Sequence, residues 1–174
     1  MSIALFLSAC KLHMKTLTGE QRPELLQDYP SVVEVPVQWS DQDAFGHVNN
    51  AKYLTWFETS RIVYVKQCGM GHFMDNAKIG PILASATCNY RQQVAFPNNV
   101  LIGTRVARIG RRSFTMEHRI LSQAVDGVVA DGQSIIVMFD YENQESVYVP
   151  EELRNAFDTF EDRDSESTLT GEES

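Results

Sequence analysis

Between Trp39 and Glu58 the chain reads Trp-Ser-Asp-Gln-Asp-Ala-Phe-Gly-His-Val-Asn-Asn-Ala-Lys-Tyr-Leu-Thr-Trp-Phe-Glu, which sets carboxylates, an imidazole and paired amides close together. These residue types suit hydrolysis of an ester-like bond. A carboxylate at Asp43 can attack a carbonyl carbon or draw a proton from a water that does. His47 can orient groups or exchange a proton near neutral pH. Backbone N–H groups at a helix start carry the positive end of the helix dipole and stabilise negative charge developing on a carbonyl oxygen. On these residues alone a plainer reading stands beside the chemical one: a solvated aspartate turn followed by an amide cap.

The elements that must position these groups are legible in the periodicity. Val33, Val35, Val37 and Trp39 alternate with Val32, Glu34, Pro36 and Gln38, the period of two of a strand with one buried face. From Ala51 to Cys68 the period changes: Tyr53, Phe57, Ser60, Tyr64 and Cys68 recur at three and four, with Lys52, Thr55, Thr59 and Lys66 on the opposite arc. Asn49 or Asn50 can cap that helix, and Gly69 permits the left-handed residue that often ends one. Segments near 83–94, 100–109, 113–123 and 128–141 are rich in β-branched and aromatic residues and are broken at Pro97-Asn98-Asn99, Gly110 and Asp126-Gly127. One long helix and a meander of long strands predict an α+β domain, an antiparallel sheet curled around the helix.

Asp41-Gln42-Asp43, Gly46-His47-Val48-Asn49-Asn50, Tyr53 and Phe57-Glu58 resemble the hot-dog-fold acyl-CoA thioesterases of the 4-hydroxybenzoyl-CoA thioesterase type. Leu83-Ala84-Ser85, Val94-Ala95-Phe96-Pro97, Gly103-Thr104-Arg105-Val106, Gly110-Arg111-Arg112-Ser113-Phe114 and Val137-Met138-Phe139-Asp140 continue the similarity in the family's order, over roughly residues 32–140. The resemblance implies that Asp43 is the catalytic carboxylate and that the Asn50 N–H polarises the thioester carbonyl, with His47, Gly46, Asn49 and Tyr53 beside them. It implies that Arg111 and Arg112, before Ser113, bind the phosphates of coenzyme A, since guanidinium forks match phosphate geometry. A solvated hairpin turn is the other reading of those arginines. Glu58 reads first as an ion-pair partner of Arg61 three residues on, although some hot-dog thioesterases carry their catalytic carboxylate on this helix. Ser85 and Thr87 are candidates for orienting the thioester or water. The His-Val-Asn-Asn form is closer to long-chain acyl thioesterases than to aryl-specific ones.

Composition bounds the remaining choices. A chain of 174 residues holds one core, and the absence of a long apolar run argues against a membrane span. The expected division is an N-terminal arm, partly disordered, over residues 1–30, a hot-dog domain over 31–149, and a short helix with an acidic tail over 150–174. That last segment holds nine acids and two arginines, nearly all of the net charge of −8. Between residues 91 and 119, six arginines meet one acid, Glu117, a local excess suited to phosphate. Cys10, Cys68 and Cys88 have no CxxC pairing and read as reduced thiols in a cytoplasm, two of them buried. Leu7-Ser8-Ala9-Cys10 is similar to a lipoprotein cleavage box, but no cation precedes it, and Met14 offers a later start.

His13, His72 and His118 lack metal-ligand spacing, and no phosphate loop, dinucleotide fingerprint or nucleic-acid module is present. Taken with the resemblance, which implies acyl-CoA hydrolysis, the sequence predicts a cofactor-free and metal-free hydrolase acting as a homodimer or tetramer, because an open sheet would leave an edge strand free. Three rivals stay open: an acyl-carrier-protein thioesterase, a noncatalytic acyl-CoA-binding hot-dog protein, and a structural assembly module.

Overall fold

The computed structural model describes residues 14–75 and 78–162. Seven strands form one antiparallel sheet: β1 (Lys15–Leu17), β2 (Ser31–Pro36), β3 (Ile79–Tyr90), β4 (Asn99–Ile109), β5 (Ser113–Ser122), β6 (Val128–Asp140) and β7 (Glu145–Ser146). Their order is β1-β2-β4-β5-β6-β3, with β7 paired to β6. Three helices accompany it: α1 (Asn50–Gln67), α2 (His72–Asp75) and α3 (Glu151–Phe160). This is the hot-dog arrangement, a curled sheet around one long helix. Among the described residues no helix is long and apolar enough to cross a membrane.

The three-and-four spacing of α1 does what the pattern predicts. Tyr53, Trp56, Phe57, Ser60, Tyr64 and Val65 are buried on its sheet-facing side. They pack on Val33, Val35, Val100, Ile102 and Ile120 near the N-terminal end of the helix, and on Val106, Phe114, Met116, Ile136 and Met138 near its C-terminal end. Asn49, rather than Asn50, caps the helix, its side chain accepting from the Ala51 N–H at 2.9 Å. Gly69 takes φ +83° just past the end. Residue 132 must be glycine for a different reason: a Cβ there would run into the Thr87 carbonyl and the Phe57 ring, so its absence lets β6 close on both β3 and α1.

Two expectations change. β2 is buried on both faces at its start, since Leu26 and Tyr29 from the turns before it cover Val32 from outside. The strand also stops at Pro36, so Trp39 sits in a 3₁₀ turn (Trp39–Asp41) and is 75% exposed rather than completing the buried face. β3 begins and ends four residues earlier than the segment expected near 83–94. Despite its apolar sequence, residues 82–87, 89 and 90 are exposed, because β3 is the last strand of the sheet and nothing covers its free edge. Cys68 and Cys88 are free and half-buried, and Cys10 and the cleavage-box residues lie outside the described residues, as does the acidic tail from 163 onward. Among the described residues no cluster of histidine, cysteine and carboxylate side chains could hold a metal ion.

Candidate active site

The end of β2 and the start of α1 are held together by Asp41. Its Oδ2 accepts from the Gln38 N–H at 2.9 Å, its Oδ1 meets Lys52 Nζ at 2.9 Å, and its carbonyl accepts from the Asn49 N–H at 2.8 Å. With both carboxylate oxygens engaged and the residue buried, Asp41 is a structural clamp. Asp43, two residues on, is exposed. Its Oδ1 accepts from the N–H groups of Phe45 at 2.8 Å and His47 at 3.4 Å, fixing a tight turn in which Gly46 takes φ +79°. Its Oδ2 receives no hydrogen bond from the described residues. One oxygen thus holds the loop, and the other is open for chemistry.

The helix start completes the arrangement. Asn49 Oδ1 takes the Ala51 N–H, and the Asn49 carbonyl takes that of Lys52 at 2.9 Å, leaving the Asn50 N–H without an acceptor among the described residues. Asp43, His47, Asn50, Tyr53 and Tyr90 line one open cleft of about 300 Å³. A larger depression of about 560 Å³ beside Gln38 and Phe96 holds no titratable side chain and offers no group for acid or base work. Tyr90, at the C-terminal end of β3, donates its hydroxyl to the Asn50 carbonyl at 3.1 Å and meets the Tyr53 ring edge-on at 5.1 Å. Burial, with smaller contributions from Cys88 and Tyr90, pushes the Tyr53 phenol up to about 12. Tyr53 therefore stays protonated and serves as wall or donor, not as base.

The other candidate residues fall elsewhere. Glu58 lies on α1 two turns beyond Asn50, exposed, and makes no ion pair with Arg61 within 4.0 Å; the Arg61 guanidinium turns to Ser134 Oγ at 2.9 Å instead. Ser85 is paired with the exposed Ile135, and Thr87 with Gln133, so both point to the outer face of the sheet, away from α1. Thr87 Oγ1 accepts from the Gln133 N–H. Arg111, Arg112 and Ser113 form the β4–β5 turn, at the opposite end of β4 from Asn99, which pairs with Pro36 beside the cleft. Arg112 binds the Ser146 carbonyl at 2.6 Å and stacks over Tyr148, whereas the exposed Arg111 side chain has no partner among the described residues. The local arginine excess is mostly absorbed by the fold: Arg91 pairs with Asp131, Arg105 with Glu117, and Arg119 donates to the Leu25 carbonyl.

Sequence reasoning missed Tyr90 and the buried His118. Tyr90 enters the cleft through the pairing of β3 with β6, a long-range register that no local motif announces. His118 is enclosed between Phe57, stacked on it at 4.4 Å, and the hydroxyls of Thr104 at 3.1 Å and Ser134 at 3.0 Å. Burial and the Arg61 charge push its imidazole down to about 3.

Comparison with known proteins agrees with the geometry. The sequence model of the Thioesterase-like superfamily matches residues 37–157. The uncharacterized protein YsmA of Bacillus subtilis is 32% identical over 85 residues, covering 49% of this chain and 56% of YsmA. The long-chain acyl-CoA thioesterase FadM of Escherichia coli is 24% identical over 121 residues, covering 70% of this chain and 92% of FadM. A thioesterase from Thermus thermophilus, solved in complex with coenzyme A and zinc, superposes with a TM-score of 0.68 at 27% identity, over 79% of this chain and 99% of that one. With the family match extending over more than half of its length, and with a curled sheet, central helix and cleft to go with it, this chain belongs to the Thioesterase-like superfamily.

Proposed function

We propose that this chain is an acyl-CoA thioesterase of the 4-hydroxybenzoyl-CoA thioesterase type, releasing a free carboxylic acid and coenzyme A. One observation carries the reading: Asp43, with one carboxylate oxygen unbonded among the described residues, and Asn50, with its N–H unpaired among them, line the same cleft. The thioester oxygen accepts from the Asn50 N–H, where the helix dipole favours the oxyanion. Asp43 takes a proton from the water that attacks the carbonyl carbon, or attacks that carbon itself to form a mixed anhydride that water then cleaves; in either case the thiolate leaves as the C–S bond breaks. An alkyl rather than an aryl acyl group is favoured by the His-Val-Asn-Asn sequence and by the similarity to FadM. The free thiols of Cys68 and Cys88 suit a cytoplasmic setting.

The distance between the parts supports a paired molecule. Tyr90 in the cleft is level, through Ala130 and Ile120, with Ile102 on β4, so the β4–β5 turn with Arg111 lies about 30 Å along the strand from the cleft of its own chain at roughly 3.3 Å per residue. Two copies joined antiparallel along their free β3 edges exchange ends, setting the Arg111 turn of one beside the Asp43 cleft of the other. That pairing also satisfies the exposed edge. The test is thiol release from a panel of acyl-CoA esters by the wild-type chain and by Arg111→Ala. Turnover on at least one ester is expected, with Arg111→Ala raising KM for acyl-CoA but not for a short thioester lacking the nucleotide. No release across the panel refutes the hydrolytic reading, and equal KM effects refute the phosphate contact.

A further inference from the structure

Arg61 is a cation set into a neutral surround. Its guanidinium, half-buried, reaches from α1 across β6, where Nη1 donates to Ser134 Oγ at 2.9 Å. Ser134 is fully buried and also meets His118 Nε2, while the other ring nitrogen of His118 faces the hydroxyls of Thr104 and Ser60. Among the described residues, no carboxylate lies within ion-pair distance of Arg61. Burial lowers its proton affinity, with Glu58 only partly countering. A guanidinium carries five donors, and removing its charge from water without an anion is costly. One hydroxyl does not meet that need.

The matching anion is one turn away and equally alone. Glu58 is exposed, and the three-residue spacing on the helix would permit an ion pair with Arg61 that the chain does not make. Both residues sit on the flank of α1 nearest the free edge of the sheet. Ser134, to which Arg61 bonds, is paired with Ala86 in the middle of β3, whose residues 82–87 are exposed. A two-fold axis that pairs two β3 edges antiparallel also sets the two α1 helices antiparallel. With the axis level with this pair of residues, position 58 of one helix faces position 61 of the other, and the contact occurs twice.

We propose that Glu58 and Arg61 form a reciprocal clasp between two copies of this chain, each Arg61 donating to Glu58 of the partner subunit across the β3 edge. The clasp supplies the anion that the single chain withholds from its half-buried guanidinium. It also selects against pairing in any register where the like charges meet. The clasp rests on the edge pairing proposed above but not on the hydrolytic chemistry, so its failure leaves thiol release to be judged separately.

Sedimentation equilibrium of E58R, R61E and their mixture tests it, with circular dichroism to confirm that each variant folds. Each variant alone is expected to weaken self-association about tenfold or more, since like charges then face each other. The mixture is expected to recover it, because one chain carries two cations and the other two anions and a heterodimer pairs them all. Glu58 is exposed, so E58R decides the matter even if R61E fails to fold. Unchanged association of E58R overturns the proposal, as does a mixture no tighter than its components. A wild-type chain that stays monomeric overturns it as well, in favour of a small anionic ligand for Arg61.

Discussion

Two aspartates two residues apart are held in opposite ways, and the difference lies in what their oxygens meet. Asp41 commits both oxygens to the Gln38 N–H and Lys52 and is buried; Asp43 lines the cleft, commits one oxygen to its own turn and leaves the other unbonded among the described residues. Asp41→Ala is accordingly expected to lower the unfolding free energy by about 2 kcal/mol, from the lost turn cap and the lost partner of Lys52. Denaturant titration reads this, and a variant as stable as wild type would show that Asp41 clamps nothing. Which aspartate does which task was not readable from the Asp-Gln-Asp string itself. The resemblance pointed to the second; the burial of the first gives Asp41 a structural part, and the catalytic part of Asp43 is the proposal above. The arginines show the converse limit. Counting charges between residues 91 and 119 found one acid, but Asp131, outside that window and two strands away in sequence, neutralises Arg91 across the sheet.

At the scale of elements, periodicity was a sound guide where one face packs and the other is wet. It gave α1 within one residue at each end, and the turn residues marked the breaks between the long strands. It misread β2, since burial there is set by what lies outside the strand, Leu26 and Tyr29, and composition put β3 near 83–94 where the strand runs Ile79–Tyr90. The α1–sheet interface also holds a titratable group, His118, on the β5 face that Phe114, Met116 and Ile120 mark at a period of two. His118 is held neutral, with its imidazole pushed down to about 3 from an ordinary value near 6.5. Below pH 6.5 the unfolded chain takes up a proton that the folded chain refuses, so stability is expected to fall as pH drops from about 6.5 toward 3. Urea titrations at pH 7, 5 and 4 should therefore give a steeper loss for wild type than for His118→Gln, by up to about 1.4 kcal/mol per pH unit. Parallel losses in the two proteins would contradict a neutral buried imidazole.

For the whole molecule, one chain supplies a carboxylate, an amide and a cleft at one end of its sheet and an unpaired arginine at the other. The free β3 edge lies between them, and the Glu58–Arg61 pair stands beside it. The architecture was legible from the sequence, as was the loop between β2 and α1. The separation of the two ends was not, because only the strand register reveals which turn lies beside which helix terminus. In the pairing proposed above, a second copy turns that separation into a complete site. All of this depends on Asp43 acting on a carbonyl held at the start of α1. The most direct test is thiol release from saturating acyl-CoA by Asp43→Asn, in which the amide oxygen keeps the turn and only the charge is lost. The variant is expected to fold and melt as wild type does while kcat falls roughly 10²- to 10⁴-fold. Turnover within a few-fold of wild type would contradict the account.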